Sequence, residues 1–237
     1  MTNLFLDIET NPIPIHQNEY ESRLASIQPP KTYKKQETID NWIENNQLQE
    51  FEVQFRKGAL NALHGEIVSI AYGFDDEDIK CITQGDVEAI ERFSGAHQDK
   101  EIIAMFYSDL HNQIYRHENE SKKFHPIKFI GHNIIDFDLR FLHQRSMITQ
   151  LKPPCPIPCN ARHGSSDFVF DTMKEWVGYR GYVKLDDLAK SFHLDSKIMD
   201  GSDVFDLVKQ KDWITLKEYN ISDVEITRNL FNKMMVQ

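Results

Sequence analysis

Cysteine is scarce in this chain. The three present, Cys81, Cys155 and Cys159, are too few and odd in number for a disulfide scaffold. A reducing, cytoplasmic setting is the expectation that follows. Long apolar runs are missing too: none approaches the ~18 residues of a membrane span, so no membrane partner is expected. The first residues, MTNLFLDIET, carry no basic stretch and turn acidic at once, so no secretory leader is expected. Positive charge is in deficit, with 27 Lys+Arg against 37 Asp+Glu and a formal net charge of −10. That balance excludes tight, sequence-independent coating of a duplex, which needs a basic footprint. Internal repeats and low-complexity tails are also lacking. What remains is 237 residues, 40% hydrophobic and 27% charged. This is an ordinary globular composition, expected to form a single domain over residues 1–237.

Apolar periodicity divides the chain into alternating strands and helices. Residues 3–8 (NLFLDI) read as a buried strand ended by Thr10-Asn11-Pro12. Helical patterns follow at 16–27 and 37–56, around a Pro/Lys-rich connection at 29–35. Residues 65–74 (GEIVSIAYGF) form a second strand, with 81–85 as its hairpin partner. Helices are expected at 86–94 and 100–117, the latter with Ile102, Ile103, Phe106, Leu110 and Ile114 on one side. A strand at 128–133 leads into a helix at 138–147. Four prolines among residues 153–158 exclude regular structure there. A strand at 167–173 and helices at 185–192, 204–209 and 213–233 complete the pattern. Such alternation predicts an α/β fold, a sheet enclosed by helices.

Within this frame, acids recur in three contexts: LFLDIET, GHNIIDFDLRFL and KEYNISDVEITRNLF. Asp7 and Glu9 are two apart on a strand and so share a face, with Leu6 and Ile8 turned the other way. Asp138 stands where a strand passes into a helix, either as a helix cap or as a ligand, with Asp136 the competing ligand nearby. Tyr219 and Asp223 are four apart in a helix and project from one side. Carboxylates gathered from such positions suit Mg²⁺ or Mn²⁺ rather than zinc. Bound cations would also answer the negative net charge, since they would be the local charge that attracts phosphate.

These three segments resemble the motifs of the DEDD exonuclease superfamily. Tyr219 places the resemblance with the DEDDy branch: where the other branch has histidine the chain has Glu218, and no histidine follows His193. The chain is most similar to predicted 3′–5′ exonucleases related to the proofreading domain of B-family DNA polymerases. HGEIVSIAYG, FDTM, KLDDLAKSF and MDGSDV carry the likeness beyond the motifs, and residues 14–57 are poorly covered. The resemblance implies a ribonuclease H-like fold with a central mixed β-sheet flanked by helices. It also implies two divalent metal ions, Mg²⁺ or Mn²⁺, and release of 5′-mononucleotides from the 3′ end of single-stranded DNA. An exoribonuclease with the same site is the alternative, and a non-catalytic nucleic-acid-binding module a further one. A polymerase domain does not fit in 237 residues, so a stand-alone exonuclease is expected. Carried over, Asp7 bridges both metals, Glu9 and Asp223 complete one, Asp138 serves the second, and Tyr219 orients the attacking water.

Other residues have smaller claims. The family pattern carries an Asn near the substrate at Asn133, which equally reads as a turn residue. Phe137 and Phe141 are candidates to stack on a terminal base, or else core at helical spacing. Asp171 is expected as a helix cap. Cys155, Cys159 and His163 offer three zinc ligands where a structural site needs four, so zinc is not expected. Residues 14–57 are a candidate lid, substrate guide or partner surface.

Overall fold

The first apolar run forms a strand longer than its sequence suggests, β1 (Thr2–Pro12). Pro12 does not cut it short, because at a strand's last position it removes only one donor from the ladder. The structure is a computed structural model and describes residues 1–89, 98–118, 121–122, 124–161 and 167–235. Two compact units are present: Met1–Thr10 with Ile67–Gln237, and Asn11–Glu66.

The smaller unit is helical. It contains α1 (Gln17–Ser26), α2 (Gln36–Arg56) and a 3₁₀ turn at Lys57–Leu60. Tyr20 meets buried Phe51 edge-on at 4.8 Å between ring centroids, and Gln47 donates to the Ile27 carbonyl at 2.9 Å. The Ile13 N–H to His64 carbonyl bond, 2.8 Å, ties the first residues of this unit to its last.

The larger unit resumes at Ile67, within β2 (Gly65–Phe74), which pairs antiparallel with β3 (Lys80–Thr83). The expected partner strand stops before Gln84 because α3 (Gln84–Glu88) starts there, with Asp86 accepting from the Thr83 N–H at 2.8 Å. The helix expected over 86–94 is therefore short and earlier, and its residues 90–94 lie outside the described ones. In α4 (Asp99–Ile114), Ile102, Ile103, Phe106, Leu110 and Ile114 are all fully buried, as their spacing requires. Two-residue strands β4 (His117–Glu118) and β5 (Ser121–Lys122) then pair with each other. Next come β6 (Ile127–Gly131), α5 (Asp138–Ile148) and β7 (Val169–Asp171). The strand expected over 167–173 has only those three residues, because Asp171 caps a helix absent from the sequence reading, α6 (Thr172–Val177). Finally α7 (Leu185–Ser191), a 3₁₀ turn at Gly201–Asp203, α8 (Val204–Gln210) and the long α9 (Trp213–Met234) follow.

The main sheet has five strands in the order β3-β2-β1-β6-β7. β1 and β7 both run parallel to β6, so the sheet is mixed and the carboxyl ends of these three strands open at one edge. That edge is where ligands collect in open α/β sheets. α9 packs on β3 and β6, and its Val224 and Phe231 form a core with Phe5, Ala71, Ile130 and Phe170. On the other flank, Arg145 of α5 is 1% exposed and grips Asp99 of α4 (0%) with two bonds of 2.6 and 2.9 Å.

Candidate active site

Period-two alternation puts Phe5, Asp7 and Glu9 on the same side of β1. Phe5 meets Phe231 of α9 edge-on at 5.5 Å, so that side faces α9. The Phe5–Ile130 pair is the last register match of β1 with β6, and Asp7 and Glu9 lie beyond it, past the paired edge. Across from them, helical spacing stacks Tyr219, Asn220 and Asp223 on the buried side of α9.

One ligand atom each of Asp7, Glu9 and Asp223 lies within 4.8 Å of the others. Asp138 joins them through the backbone: its Oδ1 accepts the Ile8 N–H at 3.0 Å, between Asp7 and Glu9 in the chain. It is not a cap. The cap position of α5 is Phe137, and Asp138 is the first helical residue, turned toward β1. Asp136 lies apart, paired with Lys174 at 2.7 Å and half exposed.

Four carboxylates this close cannot all ionise cheaply. Burial, then the charges of Asp138, Glu9 and Asp223, hold Asp7 well above the usual carboxylate range. Burial and Asp223 raise Glu9 to about 8, and burial raises Asp138 to about 7 against its backbone bonds. Asp223 is raised as well, chiefly by burial and against the pull of Lys197. Tyr219 is 1% exposed, and burial and the acids around it drive its hydroxyl far above the ordinary phenol value.

Two residues of this site went unnoticed in the sequence. Asn220, fully buried, donates to Asp7 Oδ2 at 2.6 Å while its Oδ1 accepts from Ser69 at 2.9 Å, which fixes the carboxylate's orientation. Its only sequence signal is its place beside Tyr219 on the same helix. Lys197 carries no periodic signal, being in an irregular stretch before the Gly201–Asp203 turn. Its Nζ lies 2.5 Å from Asp223 Oδ2 and 3.2 Å from the Tyr219 hydroxyl.

Beside the carboxylates lies a cavity of about 600 Å³, whose lining includes Asn133, Tyr182, Lys184, Lys197 and Gly201. Asn133 borders it while also serving the turn: its φ is +59°, tolerated by Asn, and its N–H donates to Asp171 at 3.0 Å. Asp171 in addition accepts from Ile135, Met173 and Lys174, so it caps α6 and pins the 133–135 turn. His132 is clamped between Thr172 and the Val183 carbonyl, both at 2.9 Å, and burial lowers it to about 4. Phe141 is buried at 3% and presents no face to a base, whereas Phe137 is half-buried. Cys155 borders an apolar pocket with Pro156, Pro158 and Phe168, Cys159 is buried, and His163 lies outside the described residues.

The raised acids predict an unusual pH dependence. In a chelating buffer, Glu9 (4.5 unfolded, about 8 folded) and Asp138 (3.8 unfolded, about 7 folded) hold protons that the unfolded chain has released. The native state then binds more protons, and stability falls as pH rises between those values. Depressed carboxylates such as Asp86 and Asp109 finish titrating below this window. The buried His132 (6.5 unfolded, about 4 folded) works the other way, but only below about pH 6.5. Thermal melts from pH 6.5 to about 8 should therefore show a falling midpoint, and a rising one would contradict the assignment.

A mixed five-stranded sheet flanked by helices, with acids at the carboxyl ends of its parallel strands, places the chain among ribonuclease H-like folds. The chain belongs to the family described as "Predicted 3′-5′ exonuclease related to the exonuclease domain of PolB", whose model matches residues 63–237. By that membership it is an enzyme of the 3′–5′ exonuclease class. The match includes Asp138, Tyr219 and Asp223 and begins after Asp7 and Glu9. Among solved structures, the family B DNA polymerase of the hyperthermophilic archaeon Pyrobaculum calidifontis shares the fold. Its TM-score is 0.55 at 15% identity, over 99% of this chain and 24% of that one. The chain thus spans about a quarter of that polymerase's length. No curated protein matches it. Among the described residues no helix is long and apolar enough to cross a membrane.

Proposed function

We propose that the protein hydrolyses single-stranded DNA from its 3′ end, one 5′-mononucleotide at a time, with two divalent metal ions, Mg²⁺ or Mn²⁺. The observation that carries this reading is the convergence of Asp7, Glu9 and Asp223 within 4.8 Å, at the edge where the parallel strands end. The donor set fits such ions. Asp223 Oδ1 is buried and makes no hydrogen bond, an expensive condition for an anionic oxygen unless a cation takes it. Hard oxygen donors are what Mg²⁺ and Mn²⁺ prefer.

Asp7, Glu9 and Asp223 would hold one ion, and Asp7 with Asp138 the other. Ions held there would supply Lewis acidity, both activating water and neutralising charge on the phosphoryl oxygens. The chain's own groups do the placing. Asn220 locks Asp7, and the Ile8 N–H locks Asp138, so the carboxylates need not reorganise. Tyr219 keeps its proton, because its raised hydroxyl is no base at neutral pH. It therefore orients the attacking water by hydrogen bonding. The neighbouring cavity takes the terminal nucleotide, with Asn133 and exposed Tyr182 at its wall.

The kinship with the exonuclease domain of a DNA polymerase supports DNA as the strand that is cut. Matched DNA and RNA oligonucleotides, incubated with Mn²⁺ or Mg²⁺, test this: DNA should shorten faster, and a preference for RNA would overturn the choice of sugar. Tyr219→Phe should slow release by on the order of 10²-fold or less, the cost of a misplaced nucleophile. It should keep saturable Mn²⁺ binding, since the phenol is no ligand; loss of that binding would contradict the role.

A further inference from the structure

Lys197 is held in two places at once. Its ammonium bonds Asp223 Oδ2 at 2.5 Å and the Tyr219 hydroxyl at 3.2 Å, and stands 5.3 Å from the Tyr219 ring centroid. Its side chain also lines the cavity of about 600 Å³ beside the carboxylates. Its backbone is anchored separately, the N–H donating to Asp186 at 3.1 Å, so the ammonium can change partners without moving the chain.

Asp223 is also one of the three acids whose ligand atoms gather within 4.8 Å. A divalent cation shared by those atoms would sit against the ammonium, and two cations that close repel strongly in a poorly hydrated site. We propose that Lys197 is the chain's own counter-charge to the acidic cluster, competing with a divalent cation for Asp223 and turning into the adjoining cavity when the cation binds. The inference rests on the metal reading above and deepens it. It has two consequences. Metal binds more weakly than these acids alone would bind it, and each binding event places an ammonium at the wall of the cavity proposed for the nucleotide.

Direct Mn²⁺ titration, followed by calorimetry or by the electron paramagnetic resonance of free Mn²⁺, tests this without any turnover. Lys197→Met keeps the length of the side chain and removes the charge. It should tighten Mn²⁺ binding by about tenfold or more, equivalent to ~1.4 kcal/mol. Lys197→Arg, still cationic, should remain near the wild type. In a chelating buffer Lys197→Met should melt at a lower temperature than the wild type, and added Mn²⁺ should raise its midpoint further than it raises the wild type's. If the variant melts too readily for calorimetry, the Mn²⁺ dependence of its midpoint reads the same competition. Equal or weaker Mn²⁺ binding by Lys197→Met, with the wild type binding normally, overturns the competition and leaves the metal reading standing. Absence of saturable binding in the wild type overturns both.

Discussion

Asp7→Asn will lose nucleotide release by about 10³-fold or more, the scale set when several kcal/mol of metal-borne charge stabilisation disappears. The same substitution will make the metal-free fold more stable at pH 8. Asp7 is held well above the carboxylate range by burial and by Asp138, Glu9 and Asp223, so its ionised form is a burden on the native state. An amide at this position removes that burden and can still accept the Asn220 bond through its oxygen. Opposite signs for activity and stability are what a functional cluster of like charges should give. Melting in a chelating buffer at pH 5 and at pH 8 provides the check. The gain should be larger at pH 8, where the wild-type carboxyl is pressed to ionise. Loss of stability at both pH values would mean that Asp7 serves the fold rather than the cluster.

Arg145→Met should cost about 3–5 kcal/mol of stability, because it strands Asp99 as an uncompensated buried charge. Asp99 Oδ2 also accepts the Ile67 N–H at 3.3 Å, so the pair connects α4, α5 and β2. A companion Asp99→Asn substitution retains an acceptor for Ile67 and should recover part of the loss. Urea unfolding reads both. A cost below about 1 kcal/mol for the single variant would place this pair with ordinary surface ion pairs.

The legible part of the site was the part that obeys periodicity. Asp7 and Glu9 could be put on one strand face, and Tyr219 and Asp223 on one helix face, from spacing alone. The structure brings both faces together because Phe5 and Phe231 continue the same two faces into the core. Asp138 was ambiguous between a cap and a ligand. What separates these is the Ile8 N–H, 130 positions away in sequence. Phe137 and Phe141 show the limit of spacing in the other direction: four apart, at the cap and in the first turn of α5, their rings meet at 5.7 Å, but only tertiary packing reveals that Phe141 is core. Asn220 and Lys197 were not legible for a different reason. Asn220 looks like any helix residue until Asp7 is beside it, and Lys197 is delivered by an irregular segment with no period to read. Helix α6 escaped because the residue that starts it, Asp171, was recognised as a cap while Thr172–Val177 was too short to show a pattern.

The carboxylate cluster is proposed as a metal-dependent centre acting at 3′ ends. The most direct measurement is a time course on a 5′-labelled single-stranded oligonucleotide with Mn²⁺, for the wild type and Asp7→Asn in parallel. The prediction is a ladder descending one nucleotide at a time from the 3′ end, with 5′-mononucleotides released, abolished by chelation and by Asp7→Asn. Contradiction would be an intact oligonucleotide, immediate release of the labelled 5′ nucleotide, or a ladder that Asp7→Asn produces equally well.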